Sequence, residues 1–201
     1  MNFSQVRRFA FVAIASLGLA ACGINSVPAA EETAKAKWGD VEAAYQERAN
    51  LVPNLAEVAR GAAENERGIL TDVIEARSRA TSINIDASDL GDAGKMAEYA
   101  AAQGQLSQGL GRLLANVEAY PQLQSNQNFV MLQGQIEGIE NKIRISIRDY
   151  NEAVRQYNTT IRTFPDTIGA NLIHGAEPLE PYQAVTKGAE VAPTLDLTPN
   201  S

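Results

Sequence analysis

The sequence contains few of the residues on which metal centres and nucleophilic catalysis depend. Its 201 residues include one histidine, His174, and one cysteine, Cys22. One histidine cannot form a histidine-rich metal site, and no zinc-protease, nucleophile-elbow, dinucleotide-binding or phosphate-loop motif occurs. We therefore predict no catalytic residue, no metal site and no cofactor, with His174 an ordinary loop residue. Catalytic carboxylates need a pocket that shifts their pKa, so we interpret three glutamates as solvated helix positions: Glu137, Glu140 and Glu152.

An acidic loop at residues 83–94 partly resembles a calcium-binding loop. Three of its side chains offer oxygens at alternate positions, as the start of an EF-hand does: Asn84, Asp86 and Ser88. Asp89, however, stands where that motif needs glycine, and Lys95 stands where it needs a bidentate glutamate. We interpret the stretch as a solvated loop in which Asp92 caps the following helix.

Positive charge is also scarce, with 17 basic against 24 acidic residues and a net charge of −7. Removal of a signal segment containing two arginines would leave 15 basic residues and a net charge of −9 (15 − 24). Such a chain is a poor candidate for nucleic-acid binding or for electrostatic binding to anionic lipid. Aromatic residues make up only 6% of the chain, and abundant alanine favours helices over sheets.

The lone cysteine follows an apolar run near the start of the chain. Arg7 and Arg8 precede an uncharged stretch at 9–21 that is shorter than the roughly 20 residues of a membrane-spanning helix. The sequence LAAC at 19–22 is typical of a bacterial lipoprotein. We predict a signal peptide at 1–21, lipidation of Cys22 by acyl chains such as palmitate, and a tether at 22–30; an ordinary cysteine in an uncleaved anchor helix is the alternative. We expect a periplasm-facing protein, and the uncharged residue after the cysteine favours the outer over the inner membrane.

Four stretches of helical periodicity follow. The first begins near Glu31 and is interrupted at Asn50 and Pro53; the second covers 52–82, with a bend near 61–68; the third and fourth cover 93–119 and 126–164. The pattern predicts an all-α fold: an antiparallel up-and-down four-helix bundle over 31–174 with a long C-terminal helix. Residues 175–201 are rich in proline and are predicted to form an extended or disordered tail.

The fourth pattern carries a nearly perfect heptad seam from Phe129 to Phe164. Two Tyr-Asn pairs lie seven residues apart within it: Tyr150, Asn151, Tyr157 and Asn158. These residues are either core aromatics with asparagines that bond neighbouring helices, or a surface strip that receives a peptide or helix. Gly134 and Gly138 are expected to allow close approach of a neighbouring helix.

Three segments resemble the LemA family: NLVPNLAEVARGAA at 50–63, EAYPQLQSNQNFVMLQGQIEGIENKI at 118–143 and YNEAVRQYNTTIRTFP at 150–165. The resemblance extends from Cys22 to about Ala170, with a departure at ERAN, 47–50. It implies a membrane-attached, all-α bundle that faces away from the cytoplasm. It implies no established biochemical activity.

Two functions remain open from the sequence. One is a non-enzymatic interaction or scaffold protein, anchored through Cys22, whose partners are other envelope proteins. The alternative is an envelope binding or sensing module that holds a peptide or small molecule between its helices. A filled core with exposed apolar strips would favour the first, and an internal pocket lined by tyrosine or asparagine would favour the second.

Overall fold

The structure is a computed structural model that describes the backbone of residues 3–62, 67–116 and 125–183, and side chains within residues 25–60, 68–115 and 125–183. The described part contains helices and no strand, which confirms the predicted all-α bundle. Its elements are α1 (Phe3–Ala62), α2 (Arg67–Ser82), a 3₁₀ turn (Ala87–Asp89), α3 (Ala93–Asn116), α4 (Gln127–Thr160), α5 (Asp166–Gly169) and a π turn (Ala170–His174). Residues 175–183 follow without regular secondary structure.

The predicted break near Asn50 is wrong, because α1 continues through Pro53 without interruption. A proline inside a helix leaves the carbonyl four residues earlier without its donor. That carbonyl belongs to Ala49, and it accepts a hydrogen bond of 2.7 Å from Nε of Arg77 on α2. The second helix starts at Arg67 and not at residue 52, as the sequence predicted. Residues 63–66, within the expected bend, lie outside the described part.

The remaining helix ends agree better with the sequence. Asp92 caps α3 by accepting from the backbone N–H groups of Gly94 and Lys95, and Asn126 caps α4 in the same way. The predicted end of the third helix at residue 119 lies outside the described residues. α4 ends at Thr160, four residues before the predicted end, and Phe164 is 75% exposed instead of continuing the seam.

The seam of α4 is buried along most of its length, from Phe129 to Tyr157. The predicted close approach at Gly134 and Gly138 is wrong, since a Cβ added at either residue would meet no described atom within 4 Å. Both glycines lie off the seam, on the exposed side of α4. Close approach occurs instead at Gly109 of α3, where an added Cβ would lie 3.3 Å from Cγ2 of Val73 on α2.

The core has three parts along α1 and α4. The aliphatic end contains residues from all four long helices: Val52, Leu55, Ala56, Ala59, Leu70, Val73, Ala76, Ala80, Leu106, Leu110, Leu113, Phe129, Leu132 and Ile136. The aromatic end contains Ala34, Trp38, Val41, Ala44, Tyr45, Ile85, Leu90, Met96, Tyr99, Ala100, Ile139, Ile143, Tyr150, Ala153, Val154 and Tyr182. The terminal cluster beyond it contains Val27, Tyr157, Ile161 and Ala170.

Candidate functional site

The chain reverses direction after α5. Gly175 adopts φ = 55°, a left-handed conformation that suits glycine, and the N–H of Ala176 donates to the carbonyl of Ala170 at 3.0 Å. Residues 176–183, here called the C-terminal segment, then run back along α4 in the opposite direction. The predicted tail is thus extended and packed on the bundle as far as residue 183, and residues 184–201 lie outside the described part.

The two Tyr-Asn pairs of α4 bind this segment through its backbone. The Asn151 side chain donates to the carbonyl of Tyr182 at 2.9 Å and accepts from its N–H at 2.8 Å. Asn158 makes the same two bonds with Leu179, at 2.8 and 2.9 Å. The tyrosine hydroxyls donate to two further carbonyls of the segment, Tyr150 to Glu180 and Tyr157 to Glu177, each at 2.9 Å.

The spacing of the pairs matches the geometry of an extended chain. Seven residues of α-helix rise about 10.5 Å, and three extended residues span about 10 Å. The partners of Tyr150 and Tyr157 are accordingly three residues apart, at 180 and 177, and those of the two asparagines are also three apart, at 182 and 179. Residues seven apart on α4 therefore bond residues three apart on the segment. The asparagines bond this segment and not a neighbouring helix, as one reading of the sequence had suggested.

The segment also closes the aromatic end. The N–H of Glu180 donates to the carbonyl of Leu90 at 2.8 Å, which ties the segment to the loop between α2 and α3. Tyr182 is 2% exposed, and its hydroxyl lies 2.7 Å from that of Tyr45. Its ring is 6.0–6.4 Å from three other rings: Trp38, Tyr45 and Tyr99. A residue that the sequence places in a proline-rich tail thus completes the core.

Burial sets the ionisation of this cluster. It raises the pKa of Tyr99, Tyr150 and Tyr182 well above the usual tyrosine value, because the charged phenolate is poorly solvated among apolar rings. The pKa of Tyr45 is raised by burial as well, against opposing contributions from its hydrogen bond with Tyr182 and from Arg48. The hydroxyls are therefore neutral hydrogen-bonding groups at physiological pH, unsuited to act as general bases.

Arg48 forms a buried polar junction between the aliphatic and aromatic ends. Its side chain is fully buried and donates to groups on two other helices: Ser107 Oγ, Gln103 O, Gln103 Oε1 and Glu140 Oε1. Gln103 in turn donates to the carbonyl of Ala80 at 3.1 Å, so the junction joins α1, α2, α3 and α4. Arg48 Nε has no hydrogen-bond partner among the described residues. Glu140, which we interpreted as solvated, is instead the counter-charge of this arginine, at 2.8 Å.

The cavities among the described residues leave little room for a ligand inside the bundle. A polar cavity of about 90 Å³ lies beside Tyr45, Tyr99 and Gln103, well below the roughly 300–1,000 Å³ of ordinary ligand pockets. Two larger depressions, of about 610 and 420 Å³, are open surface grooves along α4. The first is bounded by the C-terminal segment, with Asn151, Arg155 and Arg162 in its wall.

The other residues singled out from the sequence are dispersed. Cys22 lies on α1, in the stretch whose side chains the structure does not describe. His174 ends the π turn and is exposed. In the acidic loop, Asp89 accepts from Lys95 at 2.5 Å, and this ion pair lowers the pKa of the Asp89 carboxyl. Within the described residues, no helix is long and apolar enough to cross a membrane.

The signals for the buried arginine and for Tyr182 were present in the sequence but weak. Arg48 falls on the apolar face of α1, since it lies three and four residues from Tyr45 and Val52 in the helical pattern. Leu179 and Tyr182 are the first large apolar residues after the helical region ends, and their three-residue spacing matches the heptad of the Tyr-Asn pairs.

A family model, that of the LemA family, matches residues 37–196 of the chain. The match covers most of the sequence, including the Tyr-Asn pairs and the C-terminal segment. No curated protein matches the sequence.

Proposed function

Because this chain belongs to the LemA family, we propose that it is a lipid-anchored envelope protein that acts without enzymatic chemistry, as an interaction or scaffold protein. The observation that carries this proposal is the filling of its interior. The Tyr-Asn strip, which could have lined a ligand pocket, is occupied by the C-terminal segment of the same chain. What the bundle offers to other molecules is therefore its outer surface.

The charge and chemistry of that surface support the same proposal. The chain carries a net charge of −7, so its partners are proteins rather than nucleic acid. Its buried tyrosines are held neutral, and the buried arginine is committed to four hydrogen bonds within the bundle. None of these groups is positioned to attack or protonate a substrate.

The anchor in this proposal is Cys22, lipidated and at the N-terminus of the mature protein. The basis is the sequence LAAC after an apolar run, and two or more acyl chains give stable anchoring. The mature protein faces the periplasm, and Gly23, in place of a retention aspartate, favours the outer membrane.

Mass spectrometry of the protein from its native host tests the anchor. We expect the first residue to be an acylated Cys22, and Cys22→Ser to accumulate as an uncut, unacylated precursor. Retention of Met1 together with an unmodified Cys22 would contradict the proposal.

Photo-crosslinking in intact cells tests the interaction role. A crosslinkable residue replaces Ile145 on α4 or Ile74 on α2, which are 42% and 40% exposed. A scaffold gives discrete protein adducts from at least one of these faces, and Cys22→Ser, which removes the protein from its membrane, abolishes them. Failure to obtain adducts from either face would count against a scaffold.

One observation favours the second candidate, a module that binds extended peptides. All six hydrogen bonds between the Tyr-Asn strip and the C-terminal segment use backbone atoms of the segment, four as acceptors and two as donors, so these bonds do not depend on the segment's side chains. Another extended chain could take the same place if the segment were displaced, as in recognition modes that bind the main chain.

A labelled peptide of residues 176–183 tests this candidate. It should bind saturably to a chain that ends at residue 175, and Asn151→Ala with Asn158→Ala should abolish the binding. The full chain should bind it far more weakly, because the tethered segment competes at an effective concentration of order millimolar. No binding to the shortened chain, measured alongside its circular dichroism to verify folding, would exclude the candidate.

A further inference from the structure

The exposed apolar side chains are unevenly distributed. Four of the eight large ones among the described residues fall within ten residues of sequence: Phe164 at 75% exposed, Ile168 at 51%, Leu172 at 81% and Ile173 at 58%. The other four lie on α2 and α4: Ile74, Val130, Met131 and Ile145. Scattered apolar side chains are normal on a soluble surface, whereas a contiguous patch marks a contact with a protein, a membrane or a ligand. We call residues 164, 168, 172 and 173 the apolar turn.

The apolar turn is fixed beside the beginning of the described side chains. Val27 is fully buried in the terminal cluster, against Tyr157, Ile161 and Ala170. Ala170 belongs to the same π turn as Leu172 and Ile173. One residue before Val27, Ser26 Oγ donates to Oδ1 of Asp166, the first residue of α5, at 2.5 Å. Two independent contacts therefore hold the turn against residues 26 and 27 of α1.

Those residues lie very close to the proposed anchor. Val27 is five residues after Cys22 in the same helix, which is a rise of about 7.5 Å. The acyl chains on Cys22 place that residue at the membrane surface. Residues 22–30, which the sequence predicted to form a tether, lie in helix α1 instead. No long linker therefore separates the lipid from the bundle, and the end that carries the apolar turn is the end nearest to the bilayer.

We propose that the apolar turn inserts into the interfacial region of the bilayer that holds the acyl chains of Cys22. This proposal rests on the lipid anchor proposed above. Insertion is apolar rather than electrostatic, since the net charge of the chain is negative. On insertion, the side chains of the apolar turn leave water and contact acyl chains, as the apolar faces of interfacial amphipathic helices do. In this orientation the end of the bundle that contains α5 contacts the membrane, and the aliphatic end points away from the membrane.

Depth-dependent fluorescence quenching tests this orientation. Leu172→Cys and, as the matched control, Met131→Cys are each labelled with an environment-sensitive fluorophore in the full, acylated protein, where acylated Cys22 does not react. Met131 is 55% exposed and lies 29 residues before the end of α4, about 44 Å away along the helix. The labelled proteins are reconstituted into phosphatidylcholine vesicles, with or without bromine on the acyl chains.

We expect brominated lipid to remove about half or more of the emission of the label at 172, because interfacial side chains reach the acyl boundary, and to leave the label at 131 unchanged. Equal quenching at both positions would mean that the bundle lies flat, and no quenching at either would mean that the turn stays in water; each result overturns the proposal. Protection of the label at 172 from aqueous iodide without quenching by bromine would identify a protein, such as a second copy, as the occupant and would also overturn it.

Mass spectrometry of the same samples separates this proposal from the anchor itself. If Cys22 is acylated and the label at 172 is not quenched, the anchor stands and the membrane contact is wrong. If Cys22 is not acylated, both proposals fail together. Equal thermal midpoints for the two labelled variants and the parent protein exclude misfolding as the cause of a negative result.

Discussion

At the aliphatic end, side chains from α1, α2, α3 and α4 meet directly. At the aromatic end, α2 has stopped and only the start of α3 remains, so the space between α1 and α4 is filled by the loop around Leu90 and by Tyr182 of the C-terminal segment. Large rings fill a space that short aliphatic chains would leave empty. Because four of these rings carry hydroxyls, the aromatic end also needs hydrogen-bond partners that the aliphatic end does not.

This difference has an energetic consequence. The aliphatic end is closed by helices, whereas the aromatic end depends on a segment held mainly by six backbone-directed hydrogen bonds and one buried ring. Regions that rest on few buried apolar contacts open locally at lower free energy than the whole domain. We therefore expect the C-terminal segment to undock before the helices separate, and the following predictions test that order.

The largest expected effect is the loss of stability when a core side chain is shortened, and this loss should be similar at the two ends. Ile143→Ala at the aromatic end and Leu110→Ala at the aliphatic end remove side chains that are 3% and 2% exposed. Each should lower the free energy of unfolding by about 2–5 kcal/mol through lost transfer energy and a residual cavity. Denaturant melts measure the loss.

Lys142→Ala is the control for Ile143. Lys142 is exposed and pairs with Glu47 of α1 at 2.6 Å, so its removal should cost no more than about 1 kcal/mol. A near-zero cost at Ile143 would mean that this part of the seam does not stabilise the bundle. A larger cost at Lys142 than at Ile143 would contradict the buried register of α4.

A somewhat smaller effect is expected at the junction between the ends. Glu140→Gln leaves the Arg48 cation fully buried without its counter-charge. Breaking a buried pair costs about 3–5 kcal/mol, and we expect the lower value because the Glu140 side chain is 37% exposed. Arg48→Met removes the charge together with the need for a partner, and should cost less than Glu140→Gln in the same denaturant melts. The reverse order would show that the hydrogen bonds from Arg48 to Ser107 and Gln103 stabilise the junction more than its ion pair with Glu140 does.

Removal of the Tyr-Asn hydrogen bonds should affect one end only. Asn151→Ala with Asn158→Ala eliminates four bonds to the C-terminal segment, each contributing about 1 kcal/mol. The global loss should stay below that sum, because the segment can undock while the helices stay folded. Hydrogen exchange should accelerate at the amides of Leu179 and Tyr182 and remain unchanged at Leu110. The control, Gln156→Ala, changes an exposed residue of α4 between the two pairs. If this control accelerated exchange at Leu179 and Tyr182 equally, the asparagine bonds would not be what holds the segment.

The smallest effect should appear only at alkaline pH. Burial raises the pKa of Tyr99, Tyr150 and Tyr182 in the folded protein, so the unfolded chain loses these protons first, above pH of about 10. The resulting stability is fully present below that pH and falls as the pH rises further. Trp38, the one tryptophan of the chain, reports the aromatic end by fluorescence, and circular dichroism reports the whole bundle.

We expect the fluorescence transition of Trp38 to precede the loss of helix as the pH is raised. Tyr182→Phe removes one of the titrating groups and should reduce the slope of stability against pH, at a cost of about 1 kcal/mol near neutral pH for the lost bond to Tyr45. Simultaneous transitions in the two signals would show that the ends do not open separately.

The sequence predicted the helical architecture well where the signal is local. The heptad seam of α4, with Phe129 and Tyr157 buried, follows from residue spacing alone. The cap at Asp92 follows from a side chain that bonds its own helix end. The continuation of α1 through Pro53 was missed because the compensating donor, Arg77, lies 28 residues away from Ala49 on another helix.

The sequence by itself determined that this protein is an all-α bundle with two equally spaced Tyr-Asn pairs, because periodicity and capping depend on neighbours along the chain. Only the tertiary structure decided what those pairs contact. The partners of Asn151 and Asn158 lie 31 and 21 residues further along the chain, and their match depends on a reversal at Gly175 that brings an extended segment into register with a helix. Hydrogen bonds of that kind are fixed by positions in space, which residue spacing does not give.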